Sequence, residues 1–445
     1  MQDDSETKPD LFDQAKAVLE MNDRGTYTQP GPNLYPHQWL WDSCFSAIGW
    51  RHIDMERAKA EIFSLLRGQW HNGMIPNIIF RDDPKYRTDR NTWRSWVNPY
   101  APNDVTTTGI TQPPLIAEAV VQLGKKMDWS DRRQWYKTVY PALVAYHSWL
   151  YNERDPHGEG LVLQVHPWET GLDNTPPWMS EMRDHQLPTW IRLIEKTKLD
   201  HILNLFRRDT KEIPLEQRFS TIEALAMLDI QRRLRRKRYD IDRILNHSLF
   251  AIEDLSYNSM FIRANTHLRD IAKSLREELP KELEHCMDKT ERALDQLWDP
   301  YSSQYYSRDF VTHRLLKVPS VATLLPLYAG TIKKERAEKL VKMLENQHAF
   351  GPPFPIPSVP TNSFWFRPKL YWQGPTWVNI NWLIIDGLKR YGYKEHAKAL
   401  TESTLEMVEK SGCYEYFDPL NGEPAGAKDF SWTAALTIDL LKSKS

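Results

Sequence analysis

The sequence predicts an all-α fold, a toroid of paired helices with long aromatic loops gathered at one mouth. Three observations predict it. Apolar residues recur at three- and four-residue spacing through most of the chain, no segment shows a convincing strand alternation, and short connections alternate with long ones.

The periodic stretches run, in order, over residues 11–21, 55–70, 114–127, 132–151, 188–206 and 215–236, with a further apolar helix following Asp42. Each reads as an amphipathic helix. The second half continues with 248–275, 281–298, 320–328, 334–344, 375–391, 396–411 and 430–441. Between them lie loops rich in proline, glycine and aromatics, at 23–38, 74–102, 166–178, 350–373 and 414–428. Loops of that length are functional or disordered, and eighteen tryptophans with nineteen tyrosines in the chain argue against disorder here. The five are expected on one face.

Composition excludes several partners. With 58 basic against 59 acidic residues, no broad field recruits nucleic acid or an anionic membrane. The basic run at 232–238 closes a predicted helix, where cations suit the dipole, and reads as a solvated face. The first twenty residues are acidic and polar, and no run of eighteen apolar residues follows, so a protein neither secreted nor membrane-spanning is expected. Cys44, Cys286 and Cys413 carry no zinc or disulfide-framework spacing, which fits reduced, buried thiols in a cytoplasm.

Four stretches carry the chemistry. In "LYPHQWLWDSCF" (34–45), Tyr35, Trp39, Trp41 and Asp42 precede an apolar helix. Asp42 alone reads as an N-cap, worth about 1 kcal/mol. Beside three aromatics it also suits a sugar, whose C–H face stacks while its hydroxyls seek acceptors.

In "HPWETGLDNTPPW" (166–178), Glu169 and Asp173 stand between Trp168 and Trp178, and Gly171 permits a tight backbone. Crowding by indoles and Pro176 should desolvate Asp173 and raise its pKa, as a general acid near neutral pH requires. The plainer alternative is a capped turn with a structural ion pair.

In "KLYWQGPTWVNINW" (369–382), Gly374-Pro375 is expected to start a helix, leaving Tyr371, Trp372 and Gln373 in the loop before it, with Trp377 beyond. These aromatics are either a buried helix start or exposed stacking faces with an amide. In "CYEYFDPLNGEPAGAKDFSWTAAL" (413–436), Glu415 and Glu423 both qualify as a base, and Asp429 reads as the N-cap of a helix opening at Phe430-Ser431-Trp432. Spacing does not choose between the glutamates. A base about 6.5–9.5 Å from the acid leaves room for water and inverts the anomeric centre, whereas about 5–5.5 Å means retention.

As a set, "LYPHQWLWDS", "QWHNGMIPNIIF", "TGITQPP", "HPWETGLDN", "YWQGPTW" and "EYFDP…DFSWTAAL" resemble glycoside hydrolase family 63, particularly the short bacterial and plant-type enzymes acting on glucosylglycerate and mannosylglycerate. The likeness spans nearly the whole chain. It implies a six-hairpin α/α toroid forming one catalytic domain over residues 1–445, with insertions at about 74–102 and 198–212. It further implies inverting hydrolysis of a small α-glycoside with no metal or organic cofactor.

The resemblance also resolves the choice of base. A Glu-x-Gly-x-Asp block and a late glutamate block, similar to those of trehalases and other toroidal inverting enzymes, place the acid on Asp173 and the base on Glu415, with Glu423 second. Tyr35, Trp39, Trp41, Asp42, Trp372, Gln373 and Trp377 would line the site of the cleaved sugar, joined by Gln112 and Tyr371 and by Trp168, Glu169, Gly171 and Trp432 of the same blocks. Tyr86, in the 81–96 loop, would help grip a glycerate carboxylate. One departure stands out: where those relatives place an Arg-Pro pair that meets the carboxylate, this chain has Ile213-Pro214. Isoleucine forms no ion pair, which leaves Arg207, Arg208 and Arg218 as replacements.

Three rival readings accompany this one. They are a trehalase-like or gluco-oligosaccharide α-glucosidase, a toroid that binds carbohydrate without catalysis, and a helical scaffold for protein partners. The last needs a regular repeat, and none is visible.

Overall fold

Two burial patterns alternate along the chain, and their alternation builds a ring. The computed structural model describes residues 10–183, 187–204 and 207–443. Helices come in consecutive pairs: α1 (Leu11–Asn22) with α2 (Leu40–Trp50), α3 (Met55–Arg67) with α4 (Ile116–Gly124), and α5 (Trp129–Arg154) with α6 (Leu255–Leu275). The pairs continue as α7 (Lys281–Ala293) with α8 (Pro326–Ala329), α9 (Lys334–Glu345) with α10 (Val378–Arg390), and α11 (Lys394–Ser411) with α12 (Ser431–Ser443).

The odd members bury one stripe, such as Leu283, Met287 and Thr290 of α7 or Ala337, Leu340 and Val341 of α9. The even members are buried almost all round, and every residue of α2 is out of solvent. Each even helix packs on the next, α2 on α4, α6, α8, α10 and α12 in turn, and α12 closes on α2. The result is the expected toroid of six helix pairs. Closure is tight: a Cβ on Gly49 of α2 would lie 2.5 Å from the Ala435 backbone of α12, so only glycine fits there.

Several boundaries differ from expectation for local reasons. The 188–206 stretch breaks into Thr189–Lys196 and Asp200–Asn204 around left-handed Lys198, and position 206 lies outside the described residues. The next helix begins at Thr221, where Ser220 and Glu223 form a capping box, and runs to Arg236, so the basic run does close it. Pro375 does not open α10, because Thr376 is bridged to Phe417 and Pro357. Asp429 is no N-cap: α12 starts at Ser431, and Asp429 adopts φ 55° with its carbonyl bonded to the Asn22 amide.

Asp42 is likewise no N-cap, since it is the third residue of α2 and Trp39 precedes the helix. The sequence reading also missed a hairpin, Tyr414–Phe417 paired with Pro424–Lys428. Its Asn421-Gly422 pair is the short-range signal that marks such a turn. Cys44 and Cys413 are buried and Cys286 half-buried, all as free thiols. Among the described residues no helix is long and apolar enough to cross a membrane.

Candidate active site

All five aromatic loops reach one mouth of the ring, where two adjoining chambers open. The inner one is lined by Tyr35, Trp39, Trp41, Asp42, Gln112 and Gly171, together with Asp173, Tyr371, Trp372, Glu415 and Trp432. The outer one, about 480 Å³, shares Tyr35, Trp39, Asp173 and Tyr371 and adds Trp168, His37, Asp89 and the arginines 207, 208 and 218. Residues from both ends of the chain thus share one wall.

Local folding aims each side chain. Asp42 sits in the first turn of α2, and burial raises its pKa well above the carboxylate range, with Glu415 and Asp173 adding repulsion. Gly171 holds φ +76°, and a Cβ there would come 2.7 Å from the Trp41 ring, so the acid loop can lie against that indole only with glycine. Glu415 lies where the hairpin register shifts between Tyr414 and Tyr416, a bulge that turns the Ala427 N–H onto its Oε2 at 2.9 Å.

The two acids have unlike surroundings. Asp173 Oδ2 accepts from the Tyr371 hydroxyl at 3.0 Å, and loss of water pushes the carboxyl up to about 7, against the pull of that bond and of Arg218. Glu415 Oε1 accepts from the Tyr35 hydroxyl at 2.8 Å and lies 3.5 Å from the Arg218 guanidinium. Burial raises its pKa too, but Arg218, the Ala427 N–H and the Tyr35 hydroxyl oppose this. Asp173 is therefore poised to hold a proton at neutral pH, and Glu415 carries the stronger support for ionisation.

The walls are aromatic. Trp372 lies flat on Trp377 at 3.7 Å, Trp41 meets Trp432 edge-on at 5.5 Å, and Phe430 meets Trp432 at 4.6 Å. Among the inner-chamber residues, Trp39 Nε1, Trp432 Nε1 and Gln112 Oε1 are buried without a hydrogen-bond partner. Unpaired buried polar atoms are costly, and sugar hydroxyls supply both donors and acceptors for such atoms.

Not every expected residue faces the chambers. Glu169 is fully buried: its Oε1 bonds Arg154 at 2.8 Å and the Thr111 N–H at 3.2 Å, and its Oε2 bonds the Val165 N–H at 2.7 Å. That is the structural ion pair weighed above, so Glu169 fastens the acid loop rather than meeting a ligand. Trp377 backs Trp372, and Gln373 donates to the Asn174 carbonyl at 2.9 Å, both behind the wall. Tyr86 packs edge-on against His37 at 4.9 Å, one layer outside the outer chamber. Glu423 is exposed and paired with Lys369, away from both chambers.

Ile213 is buried, and Arg218 lines the outer chamber. Its guanidinium stands 4.2 Å from the Tyr371 ring centroid and donates to the Tyr35 hydroxyl at 2.9 Å. Arg207 is held by Asp209 at 2.6 Å, and Arg208 faces Asp89 at 3.4 Å. The sequence reading overlooked His37, Asp89, Trp93 and Phe219 of the outer chamber, although His37 stands within the 34–45 stretch and Asp89 and Trp93 within the 81–96 loop.

A helical toroid whose mouth holds two buried acids among stacked indoles defines a glycoside hydrolase of the α/α type. The chain matches the family model described as the mannosylglycerate hydrolase MGH1-like glycoside hydrolase domain over residues 35–433. It is 37% identical to the mannosylglycerate hydrolase of Thermus thermophilus across 95% of this chain and 99% of that one. It is 30% identical to the glucosylglycerate hydrolase of Mycolicibacterium hassiacum across 99% of both. The crystal structure of a Thermus thermophilus family 63 mannosylglycerate hydrolase with Tris and D-glycerate superposes with a TM-score of 0.87 at 36% identity, covering 97% of this chain and 99% of that one. The chain belongs to glycoside hydrolase family 63, a family of inverting enzymes.

Proposed function

We propose that this enzyme hydrolyses a small α-mannoside or α-glucoside of glycerate, with Asp173 as general acid and Glu415 as general base. The observation that carries the reading is that both acids line one narrow inner chamber, while the wider outer chamber beside it presents Arg218. The sugar ring occupies the inner chamber, its C–H face on the indoles and its hydroxyls on Asp42, Gln112 and the unpaired indole N–H groups. The glycerate carboxylate meets Arg218 in the outer chamber, in place of the arginine that Ile213 replaces.

Asp173 protonates the glycosidic oxygen as the bond to the anomeric carbon breaks, and Glu415 takes a proton from the water that attacks the opposite face. Each carboxyl is hydrogen-bonded to its own tyrosine rather than to the other. Asp42 accepts from ring hydroxyls, Tyr371 positions Asp173, and Tyr35 positions Glu415. The names of the relatives support both mannosylglycerate and glucosylglycerate as substrates. We read the whole chain as a single catalytic domain acting in the cytoplasm.

The reading is tested with mannosylglycerate, glucosylglycerate, trehalose and kojibiose at equal concentration. The two glyceryl glycosides are expected to turn over fastest. Faster turnover of trehalose or kojibiose would assign the outer chamber to a sugar instead.

A further inference from the structure

At the rim of the ring, apart from the sugar chambers, two imidazoles and a carboxylate converge. The connection leaving α5 carries His157 and Glu159, and the turn after Arg308–Asp309 carries His313. Among the described residues, one ligand atom from each lies within 4.8 Å of the other two. We propose that these three side chains bind a divalent transition-metal ion of the zinc class, tying the two segments together.

Each is held by its surroundings. The Asp155 carboxylate accepts from the backbone N–H groups of Glu159 at 2.7 Å and Gly160 at 2.8 Å, which fixes the loop. The His157 ring stacks on Phe310 with centroids 4.8 Å apart. Glu159 Oε2 accepts from Arg308 at 2.9 Å, leaving Oε1 directed at His313 Nε2, 3.7 Å away. His313 itself takes φ 57°, its N–H bonded to the Asp309 carbonyl at 2.9 Å. Ligands oriented by such outer contacts bind metal more tightly than free side chains.

The charge balance favours a cation. Arg308 is shared with Glu253, at 2.7 Å from its Oε1, so one guanidinium faces two carboxylates and one negative charge is left over. The neighbouring cation, Lys289, is bonded to the Gly158 carbonyl, and its charge is matched by that of Asp155. Two imidazoles with one carboxylate form a zinc donor set, with water as fourth ligand. Donors around a tetrahedral zinc stand roughly 3.4 Å apart, a closure that rotation of the exposed imidazoles supplies.

The clasp has a structural consequence. Gln164, just past Glu159, bridges to Ile252, Ile252 pairs with Asp309, and Arg314 reaches Glu181 in the helix Pro176–Glu181 at 2.6 Å. Metal would fasten the layer behind the 166–178 loop, acting on stability and taking no part in glycosidic cleavage.

The test titrates zinc chloride into the metal-stripped full chain, in competition with a chromogenic chelator, and follows thermal unfolding. Wild type is expected to bind one equivalent and to melt higher as zinc is added. His157→Ala, His313→Ala and Glu159→Gln, all near the surface and checked for unchanged circular dichroism, should each weaken zinc binding at least about tenfold and lose the rise in Tm. Absence of zinc binding by wild type, or an isotherm unchanged in either histidine variant, overturns the proposal.

Discussion

The Tyr371 hydroxyl donates to Asp173 Oδ2 across 3.0 Å, joining the loop before α10 to the loop that carries the proposed acid. This bond favours the ionised carboxylate, whereas burial favours the protonated one and prevails, pushing the pKa up to about 7. As pH rises through that value Asp173 loses the proton it must donate, so kcat/KM should fall on an alkaline limb near 7. Tyr371→Phe removes a donor from the ionised form and should move that limb to higher pH. A pH–rate profile of both proteins checks this.

The same shift has a stability sign. The native carboxyl holds its proton up to about 7 while the unfolded one releases it near the ordinary value, so the native state binds more protons in between. Stability is then lost as pH rises through this window. Asp173→Asn, which cannot ionise, should melt above wild type at about pH 8 and show a smaller difference at about pH 4, as read by calorimetry.

Arg218 opposes the effect of burial on Glu415. Arg218→Gln should let Glu415 keep its proton to higher pH, moving the acid limb of kcat/KM upward. Losing a charged hydrogen bond of about 1.5–3 kcal/mol to the aglycone should raise KM for mannosylglycerate by roughly 10- to 150-fold. A neutral aryl mannoside should show the first effect without the second. Steady-state kinetics on the two substrates separates them.

Gly171 combines φ +76° with the close approach of Trp41. Gly171→Ala should cost about 1–3 kcal/mol of stability from backbone strain, with further loss of activity as the acid loop lifts from the indole. Chemical denaturation gives the first quantity and initial rates the second.

The sequence carried the ring well and its ends less well. Helical periodicity located the outer helices α1, α3, α7, α9 and α11, because one-sided burial writes itself into spacing. The inner helices α4, α6, α8, α10 and α12 were located too, and α2 was read as an apolar helix after Asp42 but without bounds, since a helix buried all round has no polar face to mark its ends. The helix starts assigned to Asp42, Pro375 and Asp429 failed where tertiary pairing, such as the Thr376–Phe417 bridge, overrode local capping. In the site, indoles clustered with acids pointed to Tyr35, Trp41 and Asp173, whereas Glu415 was chosen over Glu423 by the family resemblance. The same signal drew in Glu169, whose partner Arg154 is remote from the motif. Which carboxylate faces a cavity and which faces a guanidinium is decided by contacts that spacing does not encode.

The most direct measurement follows cleavage of mannosylglycerate by proton NMR from the first seconds, with wild type, Asp173→Asn, Glu415→Gln and Glu423→Gln. Opposed roles for Asp173 and Glu415 require β-mannose as the first sugar formed, a rate lowered about 10²- to 10⁴-fold in the Asp173 and Glu415 variants, and unchanged turnover in Glu423→Gln. α-Mannose appearing first, or undiminished turnover in Asp173→Asn or Glu415→Gln, would contradict it.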